Sequence, residues 1–330
     1  MSSLPANTDR GAIRDPNSLG RPKSRAARVL RERIIVGALA VAATFSIFVT
    51  TTIVVVLAKE TIGFFEFPEV SISEFFLSAE WNPLLGAEKH FGIWPLIAGT
   101  LLVTMIAASF AIPVGLISAI YLSEYASPRV RATLKPALEI LAGIPTVVYG
   151  FFALTVLTPV LQKLNPFLEG LGDGWTFGNY NAMSAGLATG IMILPIVCSL
   201  SEDALRAVPR SLRDGAFALG GTKFDVSVKV VLPAALSGIV AAFLLAISRA
   251  VGETMIVALA AGGIAQITAN PTAEVQTMTA YMVQIFLGDA PAFGVEYKSS
   301  YAVAATLFVM TFALTMVGQS VLRRFREEYD

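Results

Sequence analysis

Reactive side chains are almost missing from this chain of 330 residues, which has one cysteine and one histidine. A lone Cys198 cannot close a disulfide within the chain, and inside an apolar segment it reads as a small packed residue. His90, beside Lys89 in a loop, cannot by itself supply a histidine-based metal site or a catalytic triad. Charge is scarce as well, at 15% of residues against 55% hydrophobic ones. With a mean hydropathy of +0.68, such a chain is too apolar for an ordinary soluble domain of this length and reads as an integral membrane protein.

What the chain does have is a series of long uncharged runs. Residues 1–33 precede them as a Pro-, Ser-, Asn- and Arg-rich arm, too polar for a cleaved signal peptide and expected to be a flexible cytoplasmic tail. Residues 34–58 are uncharged over 25 positions, enough to span a bilayer with some tilt. Further spans are expected at 94–122, bent at Pro113, at 137–161, at 183–200, at 233–262 and at 301–322, followed by a tail at 323–330. Pro136 suits the first turn of the third span, which would place Glu139 at a helix N-terminus. Gly143-Ile144-Pro145-Thr146 interrupts that span, and Gly190 and Pro195 mark the fourth, as helices broken at depth do where they line a cavity or pack on neighbours.

Residues 59–93 hold Phe64, Phe65, Phe67, Phe75, Phe76, Trp81 and Phe91, rings that favour the headgroup level, so an extracytoplasmic interfacial loop is expected there. Val275, Met278, Tyr281, Met282, Ile285 and Phe286 recur at helical spacing, a stripe read as packing ahead of binding. Lysine and arginine set the orientation: eight in the arm, three in 123–136, five in 202–232 and three in the tail, against Lys59, Lys89, Lys163 and Lys298 in the intervening loops. The fold class is therefore all-α, with six transmembrane helices and both termini cytoplasmic.

The fifth run carries the anomaly, Ser248-Arg249-Ala250-Val251-Gly252-Glu253-Thr254. An ionised side chain at membrane depth costs about 2.5–3.5 kcal/mol on insertion scales, so it persists only with a partner or a wet cavity. Four residues apart, Arg249 and Glu253 share a face on a continuous helix. Arg249 would stand roughly 24 Å along it from Pro233, near the middle of a span of roughly 30 Å. Two readings follow: a structural ion pair within a bundle, or the place where a transporter meets its cargo, with Ser248 and Thr254 alongside.

Between the fourth and fifth runs, Ser211 with Asp214 and Thr222 with Asp225 each spell a capping box, with Asp in place of Glu. Two short helices meeting at a Gly220-Gly221 elbow are expected. The first would carry Leu212, Ala216 and Leu219 along one side, to dock in a groove on a cytoplasmic partner.

Asp214-Gly215-Ala216, three residues, Gly220, nine residues, then Val230-Val231-Leu232-Pro233 resembles the "EAA" signature of ABC importer permeases, with Asp for Glu, Gly for Ala and Val for Ile. In that family this loop, here 202–232, carries the coupling helix that inserts into the ATP-hydrolysing subunit. Phe91 to Thr100, Tyr121-Leu122-Ser123-Glu124-Tyr125, Ala142 to Gly150, Leu194-Pro195 with Glu202 to Leu205, and Arg249 to Met255 are similar to the PstC-type phosphate permeases. The resemblance covers about residues 91–260.

It implies a type I importer permease in the cell (inner) membrane, forming half of a phosphate pathway. Its partners would be a second permease of the PstA type, a dimer of ATP-binding subunits, an extracytoplasmic phosphate-binding protein and membrane lipid. No cofactor, no enzymatic activity and no nucleic acid are expected of this chain. Arg249, Glu253, Ser248 and Thr254 are expected in the substrate pathway, Arg249 contacting the passing anion and Glu253 holding its side chain between turnovers. Asp214, Gly215, Ala216, Gly220, Leu232 and Pro233 are expected at the ATPase.

Other classes fit less well. Gly170-Leu171-Gly172-Asp173 matches the Gly-x-Gly-Asp pattern of intramembrane aspartyl proteases, but no Asp lies inside an expected span to complete a carboxylate pair. Gly215 to Lys223 resembles a Walker A loop, yet Gly221 stands where that motif needs Lys. A permease for molybdate or sulfate, or a scaffold reporting phosphate supply, stays open.

Overall fold

A computed structural model describes residues 25–83, 89–168, 175–288 and 294–325. The Gly170–Asp173 motif, most of the basic arm and the last five residues lie outside the described residues. The chain divides into two units, Met1–Val56 and Leu57–Asp330.

The first unit holds the larger part of α1 (Arg25–Phe65). Every residue from Val29 to Val56 is exposed. Over residues 34–56 this helix is uncharged and apolar all round, and such a helix has no aqueous face and belongs in lipid. Two of its hydroxyls are satisfied locally, Thr50 donating to the Ser46 carbonyl at 2.9 Å and Thr52 to that of Phe48 at 2.8 Å.

The second unit is built on α3 (Trp94–Ile120) packed along α8 (Ala182–Ala207). Small residues let these backbones approach: Ala107, Ala111, Ala185 and Ala188 are buried between neighbours. A Cβ on Gly186 would lie 2.6 Å from Ile106 Cβ. Close approach of this kind replaces the hydrophobic driving force that lipid does not supply. α3 runs through Pro113, and α8 through Gly190 and Pro195, as unbroken helices. Neither of the latter marks a break, contrary to the sequence expectation.

The broken helices lie elsewhere. A five-residue π-turn, Tyr121–Tyr125, ends α3 and leads to α4 (Pro128–Ala142). Ser127 caps α4, accepting from Val130 N, and Pro128 fills its first turn. The third run thus starts nine residues before 137, and Glu139 falls in the last turn of α4 rather than at an N-terminus. Pro145 disfavours a helical Ile144. The chain accordingly turns by 89° before α5 (Thr146–Phe152), a π segment, α6 (Thr158–Gln162) and α7 (Asn165–Leu168).

After α8 come α9 (Arg210–Ala218), α10 (Lys223–Val226), a π segment and α11 (Leu232–Ala234). A bend of 70° leads into α12 (Leu236–Val251), then α13 (Met255–Ala260), α14 (Met278–Leu287) and α15 (Val295–Phe325). Four helices among the described residues are long and apolar enough to cross a membrane, or six if each bent pair counts as one span.

Four of the aromatic side chains of 59–93 pack against one another, while Phe65 and Phe67 are half-buried and Phe76 is exposed. Phe64, Phe75, Trp81 and Phe91 are buried and meet edge to face, Trp81 also meeting Tyr281 of α14 at 4.9 Å between centroids. Such pairs add about 0.5–1.5 kcal/mol each beyond their buried area. α2 (Ile72–Leu77) and a short antiparallel ladder frame the cluster, β1 (Trp81–Asn82) pairing β2 (His90–Phe91) with Trp81 opposite Phe91. The α14 stripe is packing, since Met278, Tyr281 and Ile285 are buried in the same cluster. Beside it, Lys89 meets Glu296 Oε1 at 2.7 Å, and this hydrogen bond raises the lysine pKa above its ordinary value.

Candidate functional site

Arg249 and Glu253 do not lie on one helix. α12 stops at Val251, Gly252 caps it, and α13 begins at Met255. Glu253, only 6% exposed, occupies the break. Its Oε1 accepts from the backbone N–H groups of Met255 at 3.2 Å and Ile256 at 3.3 Å. A carboxylate placed there satisfies the orphan donors of a helix start and the positive end of its dipole. The main chain of Glu253 is engaged as well: its N–H donates to Ala250 O at 3.2 Å, and its carbonyl accepts from Thr279 Oγ1 at 2.6 Å. Thr254 turns its hydroxyl back to the Gly252 carbonyl at 3.2 Å.

Arg249 stands in the last turn of α12, where a cation complements the negative end of the dipole. The expected ion pair with Glu253 is not made, because the helix ends between the two residues. Among the described residues no carboxylate lies within 4 Å of the guanidinium. Its Nε donates to Met192 Sδ of α8 at 3.3 Å, and a thioether is a weak acceptor. The side chain is exposed on the unit's surface, with Ser248 half-buried beside it. The result is a cation free of any carboxylate among the described residues, close in sequence to a carboxylate that is committed to the main chain.

The two broken helices pack on one another. A Cβ on Gly150 of α5 would lie 2.7 Å from Leu259 Cδ1 and 3.2 Å from Met255 O of α13. Tyr149 Oη, on the same helix, donates to Leu141 O at 2.7 Å across the α4–α5 bend. Separately, a cavity of about 560 Å³ opens between the Trp81–Asn82 and His90 ladder and residues Gly263–Ile267, with Gln276, Tyr281 and Gln284 on its wall.

The residues expected at a partner ATPase gather at the end of the bundle where α3 finishes. α9 presents Asp214 and Gly215 to solvent, and nothing lies within 4 Å of a Cβ built on Gly215. Gly220 has φ of 83° and makes the elbow. Thr222 caps α10, accepting from Asp225 N at 3.2 Å while its hydroxyl meets Asp225 Oδ2 at 2.5 Å. The matching box at Ser211 is not used, because Pro209 already occupies the N-cap of α9 and leaves Ser211 inside the helix.

The proposed docking stripe also divides. Leu212, Ala216 and Leu232 pack inward against Leu122, Leu205 and Val231, while Leu219 is 92% exposed and Phe217 and Phe224 are exposed with it. Pro233 is exposed at the far side of the loop.

Two ionic joints hold this end together, and motif reading alone did not single them out. Arg213 of α9 reaches Leu205 O at 2.7 Å, Val208 O at 2.6 Å and Glu124 Oε1 at 3.1 Å. Glu202 of α8, 1% exposed, meets Arg131 and Lys135 of α4, the lysine at 2.9 Å, and Lys135 also holds Asp203 at 2.7 Å. Each carboxylate was visible in the sequence as part of a resemblance; its partner lay 67–89 positions away.

Residues 111–327 match the family of binding-protein-dependent transport system inner membrane components. The chain is 34% identical over 262 residues to the phosphate transport system permease protein PstC of Xylella fastidiosa (strain Temecula1), covering 76% of this chain and 78% of that relative. It is 32% identical over 288 residues to the probable ABC transporter permease protein YqgH of Bacillus subtilis (strain 168), covering 87% and 89%. Among solved structures, a chain of a bacterial alginate ABC transporter, in complex with an alginate pentasaccharide-bound periplasmic protein, has the same fold. Its TM-score is 0.62 at 13% identity, over 92% of this chain and 98% of that one.

Proposed function

The chain belongs to the family of binding-protein-dependent transport system inner membrane components, and from that premise we propose that it is the permease subunit of an ATP-driven phosphate importer. It forms half of the translocation pathway and lies in the cell membrane with both termini cytoplasmic. A second permease of the PstA type supplies the other half. A dimer of ATP-binding subunits docks on α9 and α10, and an extracytoplasmic phosphate-binding protein delivers the anion.

The observation that carries the substrate class is the Arg249 guanidinium, an exposed cation with no carboxylate within 4 Å among the described residues. Its planar fork matches the oxygens of a tetrahedral oxyanion, and charge-assisted bonds of this kind are about twice as strong as neutral ones. A single cation makes a weak transit site, from which the anion leaves as readily as it enters. Glu253 does not serve as the cation's resting partner; it clamps the break that presents Arg249. Of the expected stripe Leu212, Ala216 and Leu219, only Leu219 stays exposed, and with Phe217, Phe224, Asp214 and Gly215 it makes the surface offered to the ATPase.

The test is phosphate uptake by cells carrying Arg249→Gln, with assembly of permease and ATPase followed by co-purification. Uptake lost from an assembled complex supports the reading. Normal uptake removes Arg249 from the pathway. Competition of uptake by molybdate or sulfate separates phosphate from the other oxyanions.

A further inference from the structure

Arg213 spends its guanidinium on groups outside its own helix. Its acceptors are the Leu205 and Val208 carbonyls at the end of α8, and Glu124 in the π-turn that ends α3. The guanidinium therefore stands where three elements meet, its side chain 16% exposed and that of Glu124 11%. Glu124 is steadied by Ser123, whose hydroxyl donates to the same Oε1 at 2.9 Å. A second contact joins the same two regions, for Lys223 of α10 places Nζ 5.1 Å from the centroid of the Tyr125 ring. The loop is thus fastened twice to Tyr121–Tyr125, and under it Leu122, Leu205, Val226 and Val231 share one buried cluster.

The geometry points to Arg213 and Glu124 as positioning residues that transmit displacement of α9 to the ends of α3 and α8. The inference rests on the reading of α9 as the helix that a separate ATPase moves. The route from there is short. α3 and α8 are the packed central pair, and α8 carries Met192, which touches Arg249 Nε at 3.3 Å. Met192 precedes Leu205 by 13 positions, roughly 20 Å along a rigid helix. One guanidinium thus bonds α9 to the end of α8 through two carbonyls and to the end of α3 through Glu124. Two carbonyl bonds with an ionic one make a connection that pushes and pulls, where apolar contact alone slides.

The experiment uses the reconstituted complex in proteoliposomes, with this chain carrying Glu124→Gln, which keeps the shape and removes the charge. ATP hydrolysis is measured with and without the phosphate-loaded binding protein, and uptake of labelled phosphate beside it. The expected result is an assembled complex that still hydrolyses ATP while uptake per ATP falls on the order of tenfold, within the range of coupling between distant sites. Hydrolysis should also lose its dependence on the binding protein, a readout that a purely structural contact does not move.

An unchanged ratio of uptake to hydrolysis overturns the inference. So does failure of both Glu124→Gln and the milder Glu124→Asp to assemble, which would make the joint a fold contact. Absence of phosphate uptake by the unsubstituted complex would overturn the proposed substrate instead, and the joint would then be read from the binding-protein dependence of hydrolysis alone.

Discussion

Thr279 gives its hydroxyl to the main-chain carbonyl of Glu253 at 2.6 Å, tying the first turn of α14 to the break between α12 and α13. Both residues are buried. Thr279→Val keeps the volume and leaves that carbonyl without its side-chain donor. A buried acceptor so abandoned costs about 1–3 kcal/mol. The expected outcome is a lower melting temperature of the detergent-purified chain, with Thr279→Ser restoring most of it.

Glu253 acts as a cap, and a cap tolerates the loss of charge better than the loss of an acceptor. Glu253→Gln retains an oxygen at the position of Oε1, whereas Glu253→Ala removes it and should cost about 0.5–2 kcal/mol. Thermal unfolding should rank wild type, then Gln, then Ala. Equal damage by both substitutions would restore the ion pair with Arg249 as the better account.

The two glycines of the α9 region should respond oppositely. Gly220 has φ of 83°, a conformation that costs an L-residue with a Cβ roughly 1–2 kcal/mol. Gly220→Ala should weaken co-purification with the ATPase by distorting the elbow. Gly215, helical and with open space around its missing Cβ, should accept Ala with a gain of up to about 1 kcal/mol.

Glu202 holds α4 against α8 through Arg131 and Lys135. Removing one member of a buried ionic group is expected to cost about 3–5 kcal/mol, reduced here because both cations are partly exposed. Glu202→Ala should therefore destabilise the chain more than Arg131→Ala, which leaves Lys135 in place. Protease sensitivity of α4 in detergent would rank the two.

Much of the bundle was legible because an uncharged run of span length is rarely anything but a membrane helix. What hydropathy cannot register is a break within a run. Residues 252–254 interrupt nothing in the apolar average, and the capping group, Glu253, is not one of the usual N-cap residues. The i,i+4 spacing of Arg249 and Glu253 misled because it presupposed a continuous helix.

At Ser211 and Thr222 two similar signatures had different fates, since Pro209 starts α9 before Ser211 can cap it while nothing precedes Thr222 to do the same. The aromatic residues of 59–93 suited a headgroup belt or a core equally well. The buried contact of Trp81 with Tyr281, two hundred positions along the chain, lay beyond any local pattern.

A hinge secured by opposite charges would be pried open by each anion that arrived, since phosphate and carboxylate would compete for one guanidinium. Here the seam between α12 and α13 is stitched with main-chain donors and a threonine hydroxyl. If Arg249 meets the anion as proposed, cargo would come and go there without unpicking the scaffold, and changes in ionic strength should alter occupancy at the cation while leaving the shape of the break alone.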